Sequence, residues 1–194
     1  MNDENTKNYI LSVALNLFSK KGYSAVGVQE ICEKSGITKP TLYYYFKSKS
    51  GVLENIIQTW GMRFFSEIKN AGAYNHDFIN SLTKIIKAGI DFTKSSEQAK
   101  DFFNLHIILL NSPEGSEENQ LYSKMAQDFS LFFEDFFIKS AAEMGNMRSK
   151  EKLFSILFHN NFLSVVKSVL NGKILESDQT IYQIVHSFIY GVVS

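Results

Sequence analysis

Three observations make this an all-α protein of about nine helices. Valine and isoleucine recur mostly at helical spacing, and only Pro40 and Pro113 interrupt the 194 residues. Clusters of Gly, Ser and Asn divide the remainder into helix-length segments. A chain of this length can bury a real core, as one large domain or two smaller ones.

The first helix is expected over residues 4–21, with Ile10, Ala14, Leu17 and Phe18 on one face. In the second, Val28, Ile31 and Cys32 fall at i, i+3 and i+4, and Gly36 suits the left-handed position that ends a helix. Thr38 offers a hydroxyl N-cap to the third helix, and Pro40 lies in the first turn, where a missing N–H costs nothing. At roughly 100° per residue, Leu42 and Phe46 stack on one side of it. Pro40, Thr41, Tyr44 and Tyr45 project from the other side, with Lys39 and Tyr43 on the flanks. Two short helices joined through a glycine turn place such a helix in the DNA major groove. Ser48 caps a fourth helix, whose start carries Lys49, the arrangement of a phosphate clamp.

The fourth helix is expected from Lys49 to Ala71 on the stripe Leu53, Ile56, Ile57, Trp60 and Phe64. Five more follow near 77–94, 97–111, 117–145, 149–171 and 178–192. Residues 1–48 are read as a DNA-binding domain and 49–194 as a second domain, the fourth helix connecting them.

Composition excludes several classes. Net charge is zero; the first 60 residues carry seven Lys against five acids, so the rest is −2. An excess that small gives little non-specific affinity for DNA and shifts the burden to groove contacts and dimerisation. A lone cysteine, Cys32, excludes an internal disulfide framework and is expected to be a small buried hydrophobe. No signal peptide is evident, and no apolar run is expected to approach the roughly 20 residues that span a bilayer. The expectation is a soluble cytoplasmic protein that contacts no membrane. The four His (76, 106, 159, 186) lack metal-ligand spacing, and nucleophile-elbow and phosphate-loop patterns are absent. Neither metal nor cofactor is expected, and catalysis has little support.

The run Ala14, Leu17-Phe18, Gly22-Tyr23, Val28, Ile31, Ser35-Gly36-Ile37-Thr38, Leu42-Tyr43, Tyr45-Phe46, Lys49 and Leu53 resembles the N-terminal signature of the TetR/AcrR regulators. The resemblance implies an all-helical homodimer with an N-terminal three-helix DNA-binding domain and a C-terminal ligand-binding and dimerisation domain. It implies base-edge contacts at Gln29, Lys39, Thr41 and Tyr44 and phosphate contacts at Tyr43, Tyr45 and Lys49; Thr38 is counted with this DNA-binding set. Where the family commonly has a Thr pair before the second helix, this chain has Val26-Gly27, so the hydroxyl cap is missing there.

Phenylalanine is concentrated in the body: fifteen of seventeen lie beyond residue 60. Such a cluster is either a tightly packed core or the wall of an apolar pocket. On the resemblance, Trp60, Phe64, Phe102, Phe103, His106, Phe129, Phe133, Phe158 and Phe162 are expected to line a site for a small apolar or aromatic effector. His106, Tyr122 or His159 are its expected polar anchors. Leu163, Val166 and Leu170, with Ile181, Val185, Phe188 and Ile189, are expected at a two-fold dimer seam, because the last two helices are apolar on more than one face. The function so implied is a repressor released from a palindromic operator in double-stranded DNA. The alternatives are a DNA-binding regulator, activator or repressor, controlled by a protein partner, and a helical enzyme.

Overall fold

A computed structural model describes residues 3–73, 76–141 and 149–193, and nine helical runs lie among them. They are α1 (Asp3–Lys21), α2 (Val28–Ser35), α3 (Lys39–Phe46), α4 (Lys49–Ile56, continued through Ile57–Gly61 and Met62–Ala71), α5 (Phe78–Lys94), α6 (Glu97–Leu110), α7 (Glu117–Ala141), α8 (Glu151–Leu170) and α9 (Asp178–Val193). The expected end of α7 at residue 145 lies outside the described residues. Two compact units result: Met1–Arg63 with Lys94–Ala126, and Phe64–Thr93 with Gln127–Ser194.

In the first unit α1 buries Ile10, Leu11, Ala14, Leu15 and Phe18 against α6, α2 and α4. Gly36 closes α2 at φ 66°, and the Ile37 N–H reaches back to the Cys32 carbonyl at 3.0 Å, satisfying a carbonyl the helix end would strand. Thr38 caps α3 by accepting from the Thr41 N–H. Lys47 ends α3 in the left-handed region at φ 66°, and Ser48 at once caps α4 through the Gly51 N–H at 2.9 Å. This corner is tight. A Cβ at Gly51 would stand 1.9 Å from the Phe46 carbonyl oxygen, so only glycine fits.

One feature of α4 was not expected. Its middle, Ile57–Gly61, is a π-helical turn rather than α-helix, the rare i→i+5 form that occurs mostly as single turns inside α-helices. Gly61 lies in this turn, where a Cβ would stand 2.6 Å from the Met125 sulfur and 3.2 Å from the Phe102 ring.

The second unit is a core of interlocking rings. Phe64 packs on Phe92 (4.8 Å between centroids), Phe129 (5.4 Å) and Phe162 (6.4 Å), with Phe133 and Phe137 both touching Phe158. Gly89 lets α5 approach, since a Cβ there would meet the Phe162 ring at 2.6 Å. His159 stacks against Phe129 and Phe133, and its Nε2 has no hydrogen-bond partner among the described residues. Burial pushes its pKa down to about 4.

The expectation that no apolar run approaches membrane-spanning length is corrected by α8. Its 20 residues are long and apolar enough by composition alone to cross a bilayer. Its Phe154, Phe158, Phe162, Val165 and Val166 face is nevertheless buried inside the second unit, as in the core helix of a packed domain.

Gly51→Ala should destabilise the first unit by about 2 kcal/mol or more, because the clash is with backbone; an unchanged thermal melt by circular dichroism would contradict this corner. His159 binds a proton below about 6.5 when unfolded but only near 4 when folded. Stability should therefore fall as pH drops from about 6.5 to 4, by up to about 3 kcal/mol. Urea unfolding at both ends of that window checks it, and His159→Leu should lose this component.

Candidate nucleic-acid interface

The candidate surface is built from the short α3. Leu42 and Phe46 are buried and fix the helix to the first unit, while the opposite side is free of core. Tyr44 is 67% exposed and Tyr43 44% exposed, and Thr38, Lys39 and Pro40 are also exposed. Bulky aromatics left in water have no packing role to explain them. Thr41 is half-buried, its hydroxyl 2.9 Å from that of Thr38. Gln29 is exposed on α2, with its amide donating to Glu33 at 2.8 Å. Gly27 begins α2 with extended backbone and no side-chain cap, leaving its first N–H groups without a hydroxyl acceptor. The chemistry gathered here is that of groove contact: amide, ammonium, hydroxyl and phenol groups on a rigid stub.

Two further DNA-contact candidates, Lys49 and Tyr45, are engaged with distant parts of the chain. Lys49 points its ammonium at the α1–α2 turn, donating to the carbonyls of Tyr23 and Val26 at 3.1 Å each and lying 4.0 Å from the centre of the Tyr23 ring. It ties the start of α4 to that turn. The Tyr45 hydroxyl donates to the Asp3 carboxylate.

The same turn is held from the other side by α7. The Tyr23 hydroxyl donates to Glu117 at 2.7 Å and Ser24 donates to Glu118 at 2.7 Å. Burial and the Glu117 carboxylate push the Tyr23 phenol well above its ordinary pKa. Burial alone would raise the Glu118 carboxyl, but hydrogen bonds from Ser24, its own backbone N–H and Ser116, with Lys49 nearby, bring it below the usual value. On α6, Asp101 accepts from Asn16 at 2.7 Å and Ser19 at 3.0 Å. These pairs link residues more than 80 positions apart. Sequence reasoning missed them; the only local signal was the acidic first turn of α7.

The aromatic candidates divide between the two units. Trp60, Phe102, Phe103 and His106 belong to the first, where His106 Nδ1 and the Tyr122 hydroxyl share a buried hydrogen bond. Phe64, Phe129, Phe133, Phe158 and Phe162 belong to the second and pack on one another. The roomier clefts lie elsewhere. One of about 560 Å³ is lined by Lys20, Lys21, Lys34, Glu30, Glu97 and Asp101 of the first unit; in the second, one of about 560 Å³ runs along Asn161, Thr180, Ile184 and Phe188 and one of about 350 Å³ lies beside Gly72, Phe132 and Phe136.

For the seam candidates the apolar face is shifted. Val166, Ile181, Val185 and Ile189 are buried within the second unit, and Leu163, Leu170 and Phe188 are half-buried. The exposed apolar side chains are instead Leu153, Ile156 and Leu157 on α8 and Tyr182 and Tyr190 on α9.

Residues 10–56 match the family model for bacterial regulatory proteins of the tetR family. The chain is 27% identical over 140 residues to the HTH-type transcriptional regulator YerO of Bacillus subtilis, covering 71% of this chain and 47% of that one, so it spans about half of that relative's length. It is 25% identical over 144 residues to IcaR of Staphylococcus aureus, a negative transcriptional regulator of the biofilm operon icaADBC, covering 71% and 74% of the two chains. Among solved structures it resembles the SmeT–triclosan complex, with a TM-score of 0.69, 17% identity and 96% and 91% of the two chains covered. Signature and relatives agree over the N-terminal segment: residues 10–56 carry the helix-turn-helix of the tetR family of bacterial regulatory proteins, and the chain as a whole shares the helical fold of the solved TetR-like structures.

Proposed function

We propose that the protein is a sequence-specific DNA-binding repressor that acts as a homodimer on a palindromic operator in the cytoplasm and is released by a small apolar or aromatic ligand. The observation that carries the reading is the exposed side of α3, where Tyr43 and Tyr44 stand in solvent over an anchor of buried Leu42 and Phe46. In this reading Gln29, Lys39, Thr41 and Tyr44 meet base edges, and Thr38 and Tyr43 meet the phosphate backbone. Lys49 acts by holding the head together. A two-fold axis would set two such helices roughly 34–36 Å apart, one DNA turn. The exposed face of Leu153, Ile156, Leu157, Tyr182 and Tyr190 supplies an apolar surface for the second copy.

Release follows from α4. The run buries Val52, Leu53 and Ile56 in the first unit and Phe64 and Ile68 in the second. A ligand that parts the rings around Phe64 therefore acts on the helix that Lys49 ties to the head. A tenfold preference for the released state is about 1.4 kcal/mol of coupling. SmeT, solved with triclosan, and IcaR, a negative regulator, support this direction by likeness.

Selection from a random-sequence duplex pool should enrich a palindrome; failure to enrich any duplex would overturn the reading. Against the selected duplex, Tyr44→Ala should lose about tenfold in discrimination over random DNA. Lys49→Met should weaken both alike and lower the melting temperature, because it loosens the α1–α2 turn. Anisotropy titrations with both duplexes separate the two effects, and identical behaviour of the variants would contradict the division of roles.

A further inference from the structure

The first turn of α1 bears on the reading surface. Asp3 accepts the Tyr45 hydroxyl proton, Thr6 hydrogen-bonds the same hydroxyl, and Lys7 lies 5.9 Å from the Phe46 ring centre. Three side chains on one face of α1 thus grip the last turn of α3. Tyr45 stands edge-on to Tyr44, with 5.1 Å between ring centres, so the gripped residue adjoins the most exposed tyrosine of the reading helix. The Asp3 hydrogen bond is the largest influence raising the Tyr45 phenol above its ordinary pKa.

A phenol has one proton to donate, and a phosphate oxygen can only accept. While Asp3 holds that proton, Tyr45 offers lone pairs to a phosphate and cannot bond it. The Asp3 carboxylate, with Glu4 beside it in the same turn, also sets negative charge where the DNA backbone must approach. We propose that Asp3 is an affinity-limiting residue: its carboxylate competes with the DNA phosphate for the Tyr45 hydroxyl and keeps the head's hold on DNA below what the helix itself would allow. The idea rests on the DNA-binding reading above and adds to it a residue that works against binding. The contest is over the backbone, so it acts on any sequence.

The test is a double-mutant cycle with the full chain, using the duplex selected by the wild-type protein and a random duplex of equal length. Asp3→Ala should bind both duplexes about three- to tenfold more tightly than wild type, and Asp3→Asn should move in the same direction by less, since its amide oxygen can still accept the proton. In a Tyr45→Phe background, which has no proton to contest, the gain from Asp3→Ala should shrink to less than half. Unchanged or weaker binding by both Asp3 variants, with melting temperatures equal to wild type, overturns the proposal. An undiminished gain in the Tyr45→Phe background also overturns it, because general charge repulsion then suffices. If the wild-type chain itself holds no duplex, the DNA-binding reading fails instead, and the two failures are thereby told apart.

Discussion

Everything in the head depends on the burial of Leu42 and Phe46. An eight-residue helix is far too short to persist alone in water, so α3 exists because those two side chains are withdrawn from solvent and its ends are tied. Thr38 caps the start, and the Lys47–Ser48–Gly51 corner passes the chain directly into α4. The apolar side supplies the free energy, which leaves the other side free to carry groups that packing does not dictate. That division is what allows Tyr43 and Tyr44 to stay in water.

Around this stub the first unit is braced by polar bonds across long sequence distances. Lys49, Glu117 and Glu118 close on the turn between α1 and α2, and Asp101 closes on α1 itself. Charge-assisted bonds at part-buried positions are directional, so they fix orientation where the small hydrophobic contact of a short helix would allow rocking. For a molecule whose overall charge is zero, a fixed orientation matters more than attraction from a distance. The cost is that Lys49, placed like a phosphate clamp, has its ammonium turned inward.

Much of the head was legible in the sequence because its signals are local. A glycine after an i, i+3, i+4 stripe, Thr and Ser caps, and proline in a first turn each state their geometry within four residues. The body was legible only as helices. The π turn in α4 has no sequence marker except Gly61, whose role depends on Met125 and Phe102 far along the chain. The stripes of α8 and α9 are visible in the sequence, but a helix apolar on two sides does not say which side its own protomer covers; Val166, Ile181, Val185 and Ile189 are on the covered side. The same two-sidedness gives α8 the composition of a membrane helix. Asp3, Asp101 and Glu117 carry no local marker of their contacts, because their partners are set by tertiary structure alone.

The central claim is that the solvent side of α3 meets DNA, and tyrosine reactivity tests it without any mutation. Chemical modification of the tyrosines, read by peptide mass, compares the protein alone with the protein on its selected duplex. The account predicts that Tyr43 and Tyr44 become protected on the duplex, while Tyr182 and Tyr190, covered by the second copy with or without DNA, show no change. Tyr44 reacting equally with and without the duplex, under conditions where the complex is fully formed, would contradict it.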